Sequence, residues 1–83
     1  MRVLKFYADW CQPCKMLTRM IEDIKDDISI PIEEIDIDQQ REFAMTHGIR
    51  GVPTMLVMDE NDQVIRRKVG MMTEKELIEF IKG

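Results

Sequence analysis

The chain has 83 residues, 45% apolar and 34% charged, with a formal net charge of −4. That length fits a single domain spanning residues 1–83, because roughly 50–60 residues already approach the lower limit for an independent core. Interleaved charges with an acidic excess exclude the basic face of a nucleic-acid binder, and no stretch approaches the ~18 apolar residues of a membrane span.

The opening segment, MRVLKFYADW, reads as a strand, because Val3, Leu4, Phe6 and Tyr7 form a short apolar and aromatic run. It lacks the roughly 7–15 consecutive apolar residues of a secretory signal, so a reducing, cytoplasmic setting is expected. A helix is predicted from about Gln12 to Asp26. Cys14, Leu17, Ile21 and Ile24 recur at helical spacing with Met20 beside them, Arg19 and Glu22 fall outside the stripe, and Pro13 suits the first turn. The β-branched segment ISIPIEEIDID predicts a strand centred on Ile32 to Ile37, with Pro31 at its start.

Asp38 is then expected to cap a short helix, QQREFAMTH, that stops at Gly48. GVPTMLVMD and QVIRRKVG flank the turn residues ENDQ and predict a hairpin, with Arg66, Arg67 and Lys68 on a solvated strand face. The last helix has the clearest start. Thr73 and Glu76 make a T-x-x-E capping box, Met72 and Leu77 can staple across it, and Leu77, Ile78, Phe80 and Ile81 form its buried stripe. Met16, Met20, Met45, Met55 and Met58 are read as flexible core filling, and His47 as a cation at a helix C-terminus. The order β-α-β-α-β-β-α implies an α/β domain: a parallel front unit, an antiparallel hairpin, and helices on both faces of a four-stranded mixed sheet.

The only cysteines, Cys11 and Cys14, stand three apart where the first strand gives way to the helix. They could form a structural staple, a metal clip or a redox pair. A zinc site takes about four ligands, and the chain offers these two cysteines and His47, so no metal is expected. Residues i and i+3 on a helix start share one face, so the Cα separation of about 4.4–6.8 Å that a disulfide needs is reached with little backbone movement. Both thiol and disulfide states are then accessible, as a switch requires. Unpaired N–H groups and the positive dipole end at the helix start favour a thiolate on Cys11. Cys11, at the tip, is expected to attack a substrate disulfide, and Cys14, one turn in, to resolve the mixed disulfide.

FYADWCQPCK resembles the active-site segment of thioredoxins, which usually ends W-C-G-P-C-K. DIDQQREFAMTHGIRGVPTML is similar to that family's second helix and cis-proline loop, and KVGMMTEKELIEFI to its last strand and helix. The resemblance covers nearly the whole chain, but omits the N-terminal strand and helix of full-length members. It implies a thioredoxin-like fold and a protein-disulfide reductase with no cofactor beyond the reversible Cys11–Cys14 disulfide. The implied partners are disulfide-containing proteins and a thioredoxin reductase, the chain acting as a monomer. Pro53 takes the cis-proline position, where the backbone of Val52 would pair with an extended substrate strand. Trp10, Gln12, Pro13, Ile37, Gly51, Gly70 and Met71 complete the implied substrate-binding rim.

Two positions depart from the pattern. A buried aspartate usually lies six residues before the first cysteine, with a lysine on the next strand. Here these positions hold Lys5 and Glu34, a charge reversal. The pair is expected to meet beneath the cysteines and modulate their ionisation, with Glu34 as proton relay; a plain strand-edge ion pair is the alternative. The other departure, Gln12 between the cysteines, bears on redox potential and partner choice. Two other functions compete with the reductase. One is a glutaredoxin-like, glutathione-dependent reductase, against which Trp10 and the single glycine of KVGMM argue. The other is a thioredoxin-fold binding subunit.

Overall fold

Side-chain alternation along the first strand, β1 (Arg2–Tyr7), sets up the layers: Val3 and Lys5 point to one face, Leu4 and Phe6 to the other. The computed structural model describes residues 1–83. After β1 come α1 (Gln12–Ile24), a 3-10 turn (Lys25–Asp27), β2 (Ile32–Asp36), α2 (Arg41–Thr46), the hairpin strands β3 (Thr54–Met58) and β4 (Val64–Val69), and α3 (Glu74–Lys82). The sheet order is β2-β1-β3-β4. β1 runs parallel to β2, with Lys5 opposite Glu34, and antiparallel to β3, which pairs antiparallel with β4. This is the expected four-stranded mixed sheet with three helices.

One core layer joins Val3, Met55 and Val57 of the sheet to Leu17 and Ile24 of α1 and Leu77 and Ile81 of α3. The opposite layer joins Leu4, Phe6, Ile35, Leu56 and Met58 to Ala44 of α2. Covered on both sides, β3 is buried along its whole length. Phe43 extends the cover of short α2, its ring stacked 6.0 Å from Phe6, and His47 lies 4.4 Å from Phe43. A small third cluster holds Ala8, Cys11 and Cys14. No helix is long and apolar enough to cross a membrane.

Local signals set most boundaries. Pro13 lies in the first turn of α1, Pro31 directly precedes β2, and Gly48 follows α2 at φ 69°, a conformation only glycine adopts freely. The Thr73–Glu76 capping box is formed in both directions, at 2.8 and 3.1 Å. Met72 and Leu77 join one core cluster, as the staple requires.

Four expectations need correction. Asp38 does not cap α2, which starts at Arg41 behind Gln40. The Asp36 carboxylate instead accepts from the N–H groups of Asp38 and Gln39, opening a turn before the helix. Met16 and Met45 are 58% and 77% exposed, on the outer sides of their helices, and fill no core. Ile78 and Phe80 are only partly buried. Arg66 does not simply face solvent: its guanidinium donates to the carbonyls of Phe80 (2.8 Å) and Ile81 (3.2 Å) at the end of α3. Arg67 similarly reaches the His47 carbonyl at 2.8 Å.

Candidate redox site

α1 begins on a sulfur atom. Cys11 has extended backbone angles (φ −93°, ψ 105°) and occupies the N-cap, where its Sγ accepts from the Cys14 N–H at 3.1 Å. One of the unpaired donors at the helix start is thus directed at the first cysteine, as the strand-to-helix junction implied. Cys11 and Cys14 are joined as a disulfide with Cα atoms 5.3 Å apart, inside the separation expected for the pair. The predicted contrast in accessibility is small. Cys11 is 5% and Cys14 2% exposed, because they cluster with Ala8, and Tyr7, Ile37 and Val52 pack against that cluster. The Cys11 tip is therefore covered where an open one was expected.

The expected rim is largely brought together. Trp10 is 67% exposed, and Gln12 and Pro13 are exposed on the first turn of α1. Ile37 and Val52 pack against the cysteine cluster. The Val52–Pro53 bond is cis, and Val52 makes no backbone hydrogen bond within the chain. Gly70, at φ 87°, donates its N–H to the Pro53 carbonyl at 2.8 Å, and Met71 follows, 39% exposed. Gly51 is exposed, and its carbonyl accepts from the Thr54 hydroxyl at 2.7 Å.

Lys5 and Glu34 do meet: Lys5 Nζ lies 2.7 Å from Glu34 Oε1. The two ends are unequally placed, since the Lys5 side chain is 1% exposed and that of Glu34 is 53%. Lys5 also donates to the Thr18 hydroxyl, which in turn donates to the Cys14 carbonyl at 3.0 Å. Glu34 and Cys14 line one cleft of about 190 Å³, with Tyr7, Asp9, Lys15 and Thr18 among its walls. A neighbouring cleft of about 140 Å³ shares Thr18 and Glu34 and reaches Lys5 and Glu22. Burial holds the Tyr7 phenol above its ordinary value, and the carboxylates of Asp36, Glu34 and Asp9 push it further in the same direction.

Three participants escaped the sequence reading. Asp38, expected as a cap, accepts from the Trp10 indole Nε1 at 3.0 Å and steadies that exposed ring. Asp36 shapes the turn leading to Ile37 and Asp38. Thr18 sits four residues after Cys14, a spacing that places it one turn below on the same helix face and could have marked it.

The thioredoxin family's sequence model matches residues 1–83. A thioredoxin of Rickettsia bellii is 36% identical over 83 residues, covering 98% of this chain and 78% of the relative. A thioredoxin of Bacillus subtilis is 32% identical over 78 residues, covering 92% and 74%. Among solved structures, a mutant thioredoxin from Halobacterium salinarum superposes with a TM-score of 0.87 at 32% identity, over 96% of this chain and 70% of that one. Thioredoxin 1 from Thermosipho africanus gives a TM-score of 0.84 at 27% identity, over 99% and 91%.

Proposed function

This chain belongs to the thioredoxin family and is a thiol–disulfide oxidoreductase, and on that premise we propose how its residues divide the work. The dithiol form acts as a protein-disulfide reductase. The Cys11 thiolate attacks one sulfur of a substrate disulfide, the substrate S–S bond breaks, and one substrate thiolate leaves with the bonding electrons. Cys14 then gives up its proton and attacks Cys11 Sγ, which closes the Cys11–Cys14 bond and expels the second substrate thiolate. Two electrons pass to the substrate, and its two released thiolates take their protons from water. The oxidised protein returns to the dithiol through a thioredoxin reductase.

The observation that carries this reading is the Cys11–Cys14 bond closed across the first turn of α1, with the Cys14 N–H on Cys11 Sγ. That N–H supports a thiolate on Cys11 once the bond opens. Around it, Trp10, Gln12, Pro13, Ile37, Gly51, Val52, Pro53, Gly70 and Met71 form the docking rim. The free backbone groups of Val52 pair with an extended substrate segment. Glu34, half exposed in the cleft that also reaches Cys14, takes the proton Cys14 releases and passes it to water. Residues 1–83 work as one domain, as a monomer, in the reducing cytoplasm.

The test is reduction of insulin disulfides by the chain coupled to a thioredoxin reductase, run beside a glutathione-coupled assay. Turnover with the reductase is expected, and activity with glutathione alone overturns the thioredoxin-type assignment in favour of a glutaredoxin-like one. Cys14→Ser should accumulate a covalent adduct with substrate, detectable by mass spectrometry, whereas Cys11→Ser should not. A biological role that survived the Cys11→Ser, Cys14→Ser double variant would point to a binding subunit instead.

A further inference from the structure

The eight methionines divide by exposure, and four of them, Met1, Met16, Met45 and Met71, are exposed. Of these four, Met71 alone stands in the proposed docking rim. Its backbone is fixed through the preceding residue, since the Gly70 N–H donates to the Pro53 carbonyl at 2.8 Å, next to the free backbone groups of Val52. Met71 is 39% exposed, whereas Met72 is 5% exposed and packs in one core layer with Leu77. Two thioethers adjacent in sequence therefore meet opposite surroundings, one at the docking surface and one in the interior.

The state of the cysteine pair decides which sulfur an oxidant meets. In the dithiol form the Cys11 thiolate is the stronger nucleophile and reacts first. In the disulfide form both cysteine sulfurs are bonded and nearly covered, so a peroxide reaches the exposed thioethers instead. Resting on the rim and the reductase proposed above, we propose that Met71 of the disulfide form is a peroxide-sensitive modification site whose sulfoxide weakens docking of the reductase. A lone pair of the thioether attacks one peroxide oxygen. The S–O bond forms, the O–O bond breaks, the sulfur is oxidised by two electrons, and the second oxygen leaves as water. A polar sulfoxide then replaces an apolar side chain. Docking takes that oxygen out of water, and the Trp10 indole N–H, already held by Asp38 at 3.0 Å, is not free to pair with it. Peroxide thereby slows the return of the oxidised chain to the dithiol.

The test treats the disulfide form with hydrogen peroxide, removes the excess and digests a sample with trypsin. In the fragment 69–75, sequenced by mass spectrometry, Met71 is expected to carry one added oxygen and Met72 none. Initial rates of reduction by a thioredoxin reductase are then measured over a range of chain concentrations, for treated and untreated protein. Treatment should raise KM roughly tenfold, equivalent to about 1.4 kcal/mol of lost docking, and leave kcat within about twofold. Incubation with methionine sulfoxide reductases should return KM to its starting value. In Met71→Leu the treated and untreated KM values should agree, and in Met16→Leu the rise should persist. Met71→Gln, polar without oxidation, should show a raised KM before any treatment.

Equal KM values for treated and untreated wild type, with the Met71 sulfoxide confirmed, overturn the inference. So does a Met71 that stays unmodified while other exposed methionines oxidise. A rise in KM that survives in Met71→Leu also overturns it, because the sensitive sulfur then lies elsewhere. The reductase reading fails separately, if the untreated chain is not reduced by the enzyme at all.

Discussion

Replacing Glu34 by glutamine removes one charge from an ion pair whose ends differ sharply in depth. Lys5 is 1% exposed and its partner 53%, with 2.7 Å between Nζ and Oε1. Breaking a fully buried pair by removing one member costs about 3–5 kcal/mol, because an uncompensated charge stays inside. Here the carboxylate side is open to water, which can solvate the ammonium in part, so the loss is discounted to about 1–2 kcal/mol. For a domain of this size that lowers Tm by roughly 5–15 °C. Lys5→Met makes the opposite change: the buried charge is gone, Glu34 is left with solvent, and the new side chain meets the apolar layer of Val3, Leu17 and Met55. That variant should match or exceed wild-type stability. The assay is urea unfolding of the oxidised protein for wild type, both single variants and the double variant. The double variant should resemble Lys5→Met, with a coupling of about 1–2 kcal/mol. A Glu34→Gln midpoint equal to wild type, or a Lys5→Met loss of several kcal/mol, refutes the reasoning.

Arg66→Met should destabilise the chain by about 2 kcal/mol, since it strips a charge-assisted donor from the Phe80 and Ile81 carbonyls, and amide exchange should rise at the end of α3. Unchanged exchange there would exclude the clamp. Thr73→Ala should cost about 1 kcal/mol through loss of the Glu76 N–H acceptor, read from denaturant midpoints. The Thr73 backbone N–H, then its hydroxyl, hold the Glu76 carboxyl below its usual value of 4.5. Its contribution to stability is therefore present above that unfolded value and is lost as pH falls through the lower folded one. Glu76→Gln should flatten this acid limb, and a limb unchanged by it would refute the assignment. Tyr7 is the only tyrosine, so alkaline absorbance titration reads it alone, and its midpoint should exceed the reference value of 10.0. Stability linked to Tyr7 is full below that value and falls as pH rises through the folded one. Glu34→Gln should lower the midpoint part of the way, and a wild-type midpoint at the reference value contradicts the placement.

What could be read from sequence alone was what is decided within a few residues. Pro13 and the cysteine spacing marked the start of α1. Gly48 marked the end of α2, and Thr73 with Glu76 the start of α3, because each signal is a hydrogen bond or dihedral preference spanning at most four positions. The order of elements, and with it the sheet, followed from apolar periodicity, which reports which face of an element is covered. The nearness of Lys5 to Glu34 also came from residue identity, through the resemblance to a family in which those positions face each other.

Tertiary structure decided how residues far apart in the chain share space. Asp38 looked like a cap by its neighbours, yet Trp10, 28 positions away, takes its carboxylate. Arg66 looked like part of a solvated strand until α3 placed two bare carbonyls within its reach. Met16 and Met45 are as apolar as Met55, but their helices turn them outward. The same distinction bears on the charge reversal under the cysteines. Sequence supplied a lysine and a glutamate in exchanged positions. Only packing against α1 settled which of them is buried, because burial depends on what covers a side chain and not on what it is.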